Sequence, residues 1–251
     1  MRGRAQLTAA APVRPGLACR IVRLQDESPV AWRCTPEGVY LVGTAATPVG
    51  DDTMEIDVAA EPGADLRIRS AAATVAWRSC GTVQQIRARV ADGARLDWRL
   101  EPLIATAGCC HRQHAVVELQ GSARLRWTEE LLLGRYREQP GRLDLRLDVE
   151  LDGRALLRHQ IRIGSGGAWD GPAILGPYRT LGLILQVEPD YQPSAAAGPG
   201  WARLPLDGPA ALTVAVAPDL PQLRMALAAG GGRGGAGGRG RGAGAGAGPA
   251  P

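Results

Sequence analysis

Between Leu143 and Leu151 the chain alternates without a break: Leu143, Leu145, Leu147, Val149 and Leu151 are separated by Asp144, Arg146, Asp148 and Glu150. A period of two is that of a β-strand with one buried face. Asp152-Gly153 follows, a pair suited to the positive φ of a tight turn, and Ala155 to Ile163 returns, so the segment predicts a hairpin. A succession of strand, turn and strand recurs upstream: Met54 to Ala60, Pro62-Gly63, Asp65 to Trp77, then Val83 to Val90, Asp92-Gly93 and Arg95 to Leu100. His114 to Leu119 and Ala123 to Leu133 continue it across Gly121. Turn signals at this spacing belong to a sandwich or a stack of sheets. Helical signals are fewer. Asp219, Pro221 and the spacing of Leu220, Leu223 and Leu227 predict a capped helix near the end, and residues 172–182 form a second candidate, interrupted by Gly176-Pro177 and followed by a strand over Leu183 to Val187. The fold class expected is therefore mainly β, with stacked sheets of β-helix-like or sandwich form and about two short helices.

The 251 residues accommodate one large β domain or two small ones. Residues 1–15 are expected to be a flexible N-terminus and 16–229 a β-rich body. Residues 230–251, rich in Gly, Ala and Arg, bury nothing and are expected to be a disordered tail. There is no Phe, and six Trp and four Tyr supply the bulky aromatics, so Leu, Val, Ile and Ala carry most of the packing. The net charge is +4, but Arg233, Arg239 and Arg241 of the tail supply three of those charges. The body is thus near neutral and lacks the basic face of a nucleic-acid-binding domain. No apolar run approaches the roughly 20 residues of a membrane-spanning helix. Leu7 to Ala11 is too short for a signal-peptide core before Pro12, so the expected location is the cytoplasm. Five cysteines, an odd number, then read as reduced thiols.

Few motifs carry chemistry. The chain has no lysine, which excludes a phosphate-binding loop of the G-x-x-x-x-G-K-[ST] type. Neither a G-x-S-x-G elbow nor an H-E-x-x-H pair occurs, and Gly164-Ser165-Gly166-Gly167 reads as a connector. Cys109, Cys110, His111 and His114 form the one cluster with metal-ligating chemistry. On an extended chain Cys109 and His111 share one face and Cys110 and His114 the other, so two at most converge without a turn. The alternative is two small thiols and two histidines at a strand entrance. Asp51-Asp52, after Pro48-Val49-Gly50, sits where turn-forming acids are common.

Residues 43–78, GTAATPVGDDTMEIDVAAEPGADLRIRSAAATVAWR, resemble the N-terminal signature of the urease accessory protein family UreD, also called UreH. The shared features are a Gly-Asp turn, a strand, a Pro-Gly-Ala turn and a strand leading to Ala-Ala-Thr. Gly93-Ala94, Glu101-Pro102-Leu103-Ile104, Glu129 leading to Leu133-Gly134-Arg135, the Leu143 hairpin and the Leu220 to Leu227 helix follow in the family order, so the resemblance covers roughly residues 16–228. Asp51 replaces a turn glycine, Ala71 stands where the family often has Gln, and Val75 where it often has Lys. The acidic residue usual after Gly-Arg is displaced, with Glu138 nearest.

The resemblance implies a non-enzymatic scaffold that binds apo-urease and UreF, and through UreF the GTPase UreG. No cofactor would be held tightly; nickel would travel transiently through an internal passage. A conduit of that kind needs carboxylates for weak, reversible hand-over. By position in the family pattern these are Asp52, Glu101 and Glu129, with Ser70 and Thr74 as polar lining. Two other readings stand beside it: a metal-dependent enzyme centred on Cys109, Cys110, His111 and His114 with Asp52 or Glu101 as base, and an RNA-binding protein acting through the Arg/Gly tail.

Overall fold

Alternation decides which side of each strand is buried, and in the computed structural model, which describes residues 1–14, 19–164, 168–172 and 174–231, those sides face one another across two layers. The chain begins as β1 (Arg2–Ala10), doubles back as β2 (Arg20–Asp26) and crosses to the other layer as the hairpin β3 (Val30–Thr35) and β4 (Gly38–Gly43). It then winds. One coil is β5 (Thr53–Ala60), β6 (Asp65–Ser70) and β7 (Thr74–Ala76); the next is β8 (Thr82–Val90), β9 (Arg95–Arg99) and β10 (Leu103–Ala105); the third is β11 (Cys110–Leu119) and β12 (Arg124–Leu133). The hairpin β13 (Arg142–Leu151) and β14 (Arg154–Ile163) ends the first sheet, ordered β14-β13-β11-β8-β5-β1-β2. Then β15 (Thr180–Val187), β16 (Ala196–Gly198), β17 (Trp201–Pro205) and β18 (Ala210–Ala217) extend the second, ordered β16-β17-β18-β15-β12-β9-β6-β4-β3.

Successive coils stack parallel. Leu66 pairs with Leu96 and Leu96 with Leu125, so each coil advances the chain by 30 and then 29 residues. The corners are Pro62-Gly63-Ala64, Asp92-Gly93-Ala94 and Gly121-Ser122-Ala123. Gly63 and Gly93 take φ of 74° and 70°, and the alanines are buried because the bend leaves room for one methyl group. These turns therefore join opposite layers. Asp152-Gly153, with φ of 50° and 74°, is the turn of a true hairpin, since β13 and β14 pair antiparallel.

Rows of inward side chains fill the space between the layers. Ile56, Ile86, Ala115 and Leu147 lie side by side in the first sheet, and Ile68, Trp98 and Trp127 in the second. The indoles of Trp98 and Trp127 stack at 4.6 Å and 4°. Each fully buried aliphatic side chain in such a row contributes about 1.5–3 kcal/mol.

Three expectations need correction. The stretch expected as a flexible N-terminus holds a strand: Arg2–Ala10 runs parallel to β5 along its length, with Ala5, Leu7 and Ala9 buried. The strand expected over Asp65 to Trp77 breaks at Ala71–Ala73, where Ser70 Oγ donates to the Ala72 carbonyl and turns the chain. Among the described residues α1 (Leu220–Gly230) is the only helix; residues 172 and 174–177 make turns instead, for Pro172, Gly176 at φ 55° and Pro177 deny them helical hydrogen bonds. Asp219 caps α1 by accepting from Gln222 N at 2.9 Å, and Leu223 and Leu227 pack on Ile184, Ala215 and Ala217 of the second sheet's outer face. Residues 165–167 of the glycine-rich run, and 232–251 of the expected tail, lie outside the described residues.

Candidate functional site

The inward rows are apolar over most of the sandwich and polar near one end. Along β8 the buried inward residues are Thr82, Gln84, Ile86, Ala88 and Val90; along β11 His111 and Gln113 precede Ala115, Val117 and Leu119. Gln84 pairs in register with Gln113, and from the facing sheet Glu129 reaches the same layer. Glu129 Oε1 accepts from Gln113 Nε2 at 3.1 Å and Trp127 Nε1 at 3.0 Å. Burial raises the pKa of Glu129, and the two donors oppose that shift without cancelling it. The carboxylate faces a cavity of about 40 Å³, also lined by Thr74, Gln84 and Gln113, with room for a water-sized occupant. A larger cavity of about 350 Å³ adjoins it, shares Thr74, Gln84 and Leu100 with it, and is bounded by Gly43–Pro48 and Ser70–Val75.

The second sheet has a window at this level. β12 pairs with β9 up to Thr128 opposite Arg99 and with β10 from Leu131 opposite Leu103, so residues 100–102 leave Glu129 and Glu130 without a strand partner on that side, while β15 pairs with them on the other. Ser70 Oγ accepts from Glu101 N at 2.8 Å and fixes the rim. Through this window the small cavity extends to Thr128 and Glu130, whose side chains lie on the outer, helix-bearing face.

The expected site residues separate on this frame. Glu129, Thr74 and Glu101 line the small cavity, and Ser70 and Thr74 the larger one. Asp52 lines neither. It is buried in its turn, where Oδ1 accepts from the Met1 ammonium at 2.6 Å and Oδ2 from Thr47 Oγ1 at 3.0 Å and Val49 N at 3.1 Å. Burial alone would raise its pKa; these bonds win and lower it. Glu138 is likewise engaged, bonding Arg135 N, Nε and Nη2 at 2.9 Å each, which holds its pKa down at about 2.

Cys109, Cys110, His111 and His114 do not converge. Cys109 and His111 point inward and Cys110 and His114 outward, as strand parity requires. His111 Nδ1 meets Thr82 Oγ1 at 2.8 Å, and burial lowers its pKa to about 4, so the ring is neutral. His114 Nε2 meets Asp148 Oδ2 at 2.9 Å on the outer face. Burial pushes the Cys109 thiol up to about 11, far from a thiolate ligand. Among the described residues no group of three or more His, Cys, Asp or Glu is arranged to hold a metal. The metal-dependent enzyme thus loses its proposed centre. Gln84, Gln113, Glu130 and Arg224 were not among the sequence candidates; the signal for the two glutamines is a polar residue at an inward position of an alternating strand.

A family model described as UreD urease accessory protein matches residues 2–228. The chain belongs to the UreD family. It is 39% identical over 241 residues to the urease accessory protein UreD of Streptomyces coelicolor, covering 90% of this chain and 94% of that protein. UreD 2 of Saccharopolyspora erythraea is 41% identical over 206 residues, 75% of this chain and 71% of the relative. UreD of Streptomyces avermitilis is 37% identical over 241 residues, 90% and 95%. The UreD match begins at residue 2, which agrees with β1 being part of the fold. No helix among the described residues is long and apolar enough to cross a membrane.

Proposed function

We propose that the chain is a cytoplasmic, non-enzymatic scaffold for urease maturation, bridging apo-urease to UreF and through UreF to the GTPase UreG, and that nickel passes through its interior without being retained. The observation that carries this reading is Glu129, a carboxylate at the polar end of the sandwich interior, facing a cavity and bonded by two neutral donors. A structural role alone gives a core no reason to hold a carboxylate there, since burying an unpaired charge is costly. A transiting cation supplies the missing charge. Nickel accepts carboxylate, amide oxygen and water, and the row Thr74, Gln84, Gln113, Glu129 offers these without a closed ligand set that would trap it. Family membership supports the role in urease maturation.

The test is Glu129→Gln, which keeps volume and hydrogen-bonding capacity and removes the charge. In cells carrying the urease operon at limiting nickel, urease nickel content and activity should fall roughly tenfold or more, the loss of one charge-assisted contact, while UreF still co-purifies with the variant. Full activation with Glu129→Gln would overturn the passage.

A further inference from the structure

Outside the window, the guanidinium of Arg224, on α1, bonds Glu130 Oε2 through Nε and Glu101 Oε2 through Nη2, both at 2.8 Å. Glu130 is almost wholly buried, its side chain 3% exposed, whereas Arg224 and Glu101 are 39% and 44% exposed. Two carboxylates thus converge on one cation that reaches in from a flexible stem. Beside them Thr128 Oγ1, in a residue only 4% exposed, has no hydrogen-bond partner and lines the same cavity. The sheet itself offers no charge to Glu130, because its neighbour in register on β15 is Gly182.

We propose that Glu101, Glu130 and Thr128 form a divalent-cation site at the outer mouth of the window, and that Arg224 occupies it as a built-in substitute cation. The choice of nickel as the ion rests on the reading above; the site does not. Electrostatics gives the mechanism. With the guanidinium withdrawn, Glu130 is a buried carboxylate facing a second carboxylate, a state that a divalent ion relieves better than a proton or water. The hydroxyl of Thr128 is the neutral oxygen such an ion would take, with water completing its shell. Ion and guanidinium exclude each other, so the mouth is closed at rest and opens only as Arg224 swings into solvent along its stem. Arg224 is a positioning residue and takes no part in ligation.

The experiment titrates nickel chloride into the purified full chain by calorimetry, with far-ultraviolet circular dichroism as the folding control. Arg224→Gln should bind one nickel ion roughly tenfold tighter than the wild type, the coupling released when a competitor is removed. Adding Glu130→Gln to it should abolish that gain. Arg224→Lys, whose point charge lacks the guanidinium fork, should fall between, and decides the matter if the glutamine variant does not fold. Equal affinity in the wild type and the folded Arg224 variants would overturn the site, leaving the Glu129 test untouched. Tight binding in Arg224→Gln together with normal activation in Glu129→Gln would keep the site and discard the passage.

Discussion

At the scale of single residues, the polar layer makes the fold sensitive to acid in a way that can be assigned. His111 titrates near 4 in the folded chain, against about 6.5 in an unfolded one. Between those values the unfolded state binds more protons, so stability is intact above about pH 6.5, declines as pH falls, and levels off below 4. The full difference amounts to about 3 kcal/mol. His159, also lowered by burial, adds to it in the same direction. Glu129 works oppositely: its raised pKa favours the folded state in acid, and that advantage is lost as pH rises through its folded value. Comparing the wild type with His111→Gln by urea unfolding at several pH values between 5 and 7.5 isolates His111, because the other groups are common to both. The stability difference between the two should shift toward the variant as pH falls. A pH-independent difference would show that the ring is charged or solvated in the fold.

At the scale of elements, α1 sits where it does because Gly182 lets it. A Cβ at that position would lie 2.9 Å from the Glu129 carbonyl, 3.0 Å from Leu227 Cδ1 and 3.3 Å from Leu223 Cδ2. Gly182→Ala should cost about 1–3 kcal/mol by overpacking the seam, read as a lower urea midpoint at unchanged slope. An unaltered midpoint would mean that the helix is loosely held. The strands themselves were largely legible beforehand. Alternation at Leu143 to Leu151 gave the hairpin, and Asp219 with Leu223 and Leu227 gave the helix, because each rests on contacts local in sequence. The coil was less legible. Pro62-Gly63 and Asp92-Gly93 have the chemistry of hairpin turns, and only the spacing of Ala64, Ala94 and Ala123, near 30 residues, marks them as corners between layers. The candidate site divided along the same line: Glu129, Glu101, Ser70 and Thr74 followed from position in a family pattern, whereas Arg224 bonds Glu101 from 123 residues away and had no local signal.

At the scale of the whole molecule, the sandwich is held by registers between coils, and β1, which starts at residue 2, lies in parallel register against the first of them. A body starting at residue 16 would lack β1, whose residues from Arg2 to Ala9 pair with Thr53 to Ala60. Its loss would strip one side of β5 of every backbone partner and remove Ala5, Leu7 and Ala9 from the inward rows, while β2, which pairs with β1, would have nothing to join. A long unpaired edge next to an opened apolar face is a template for association with other chains. Deleting residues 1–15 should therefore move most of the protein from the soluble to the pelleted fraction on expression, and what stays soluble should bind a hydrophobic dye that the intact chain does not. Should the shortened chain instead unfold cooperatively with its stability preserved, β1 would be an ornament on a self-sufficient sandwich. The parallel register along the whole of β5 argues that it belongs to the stack, in the same relation to β5 that β5 has to β8.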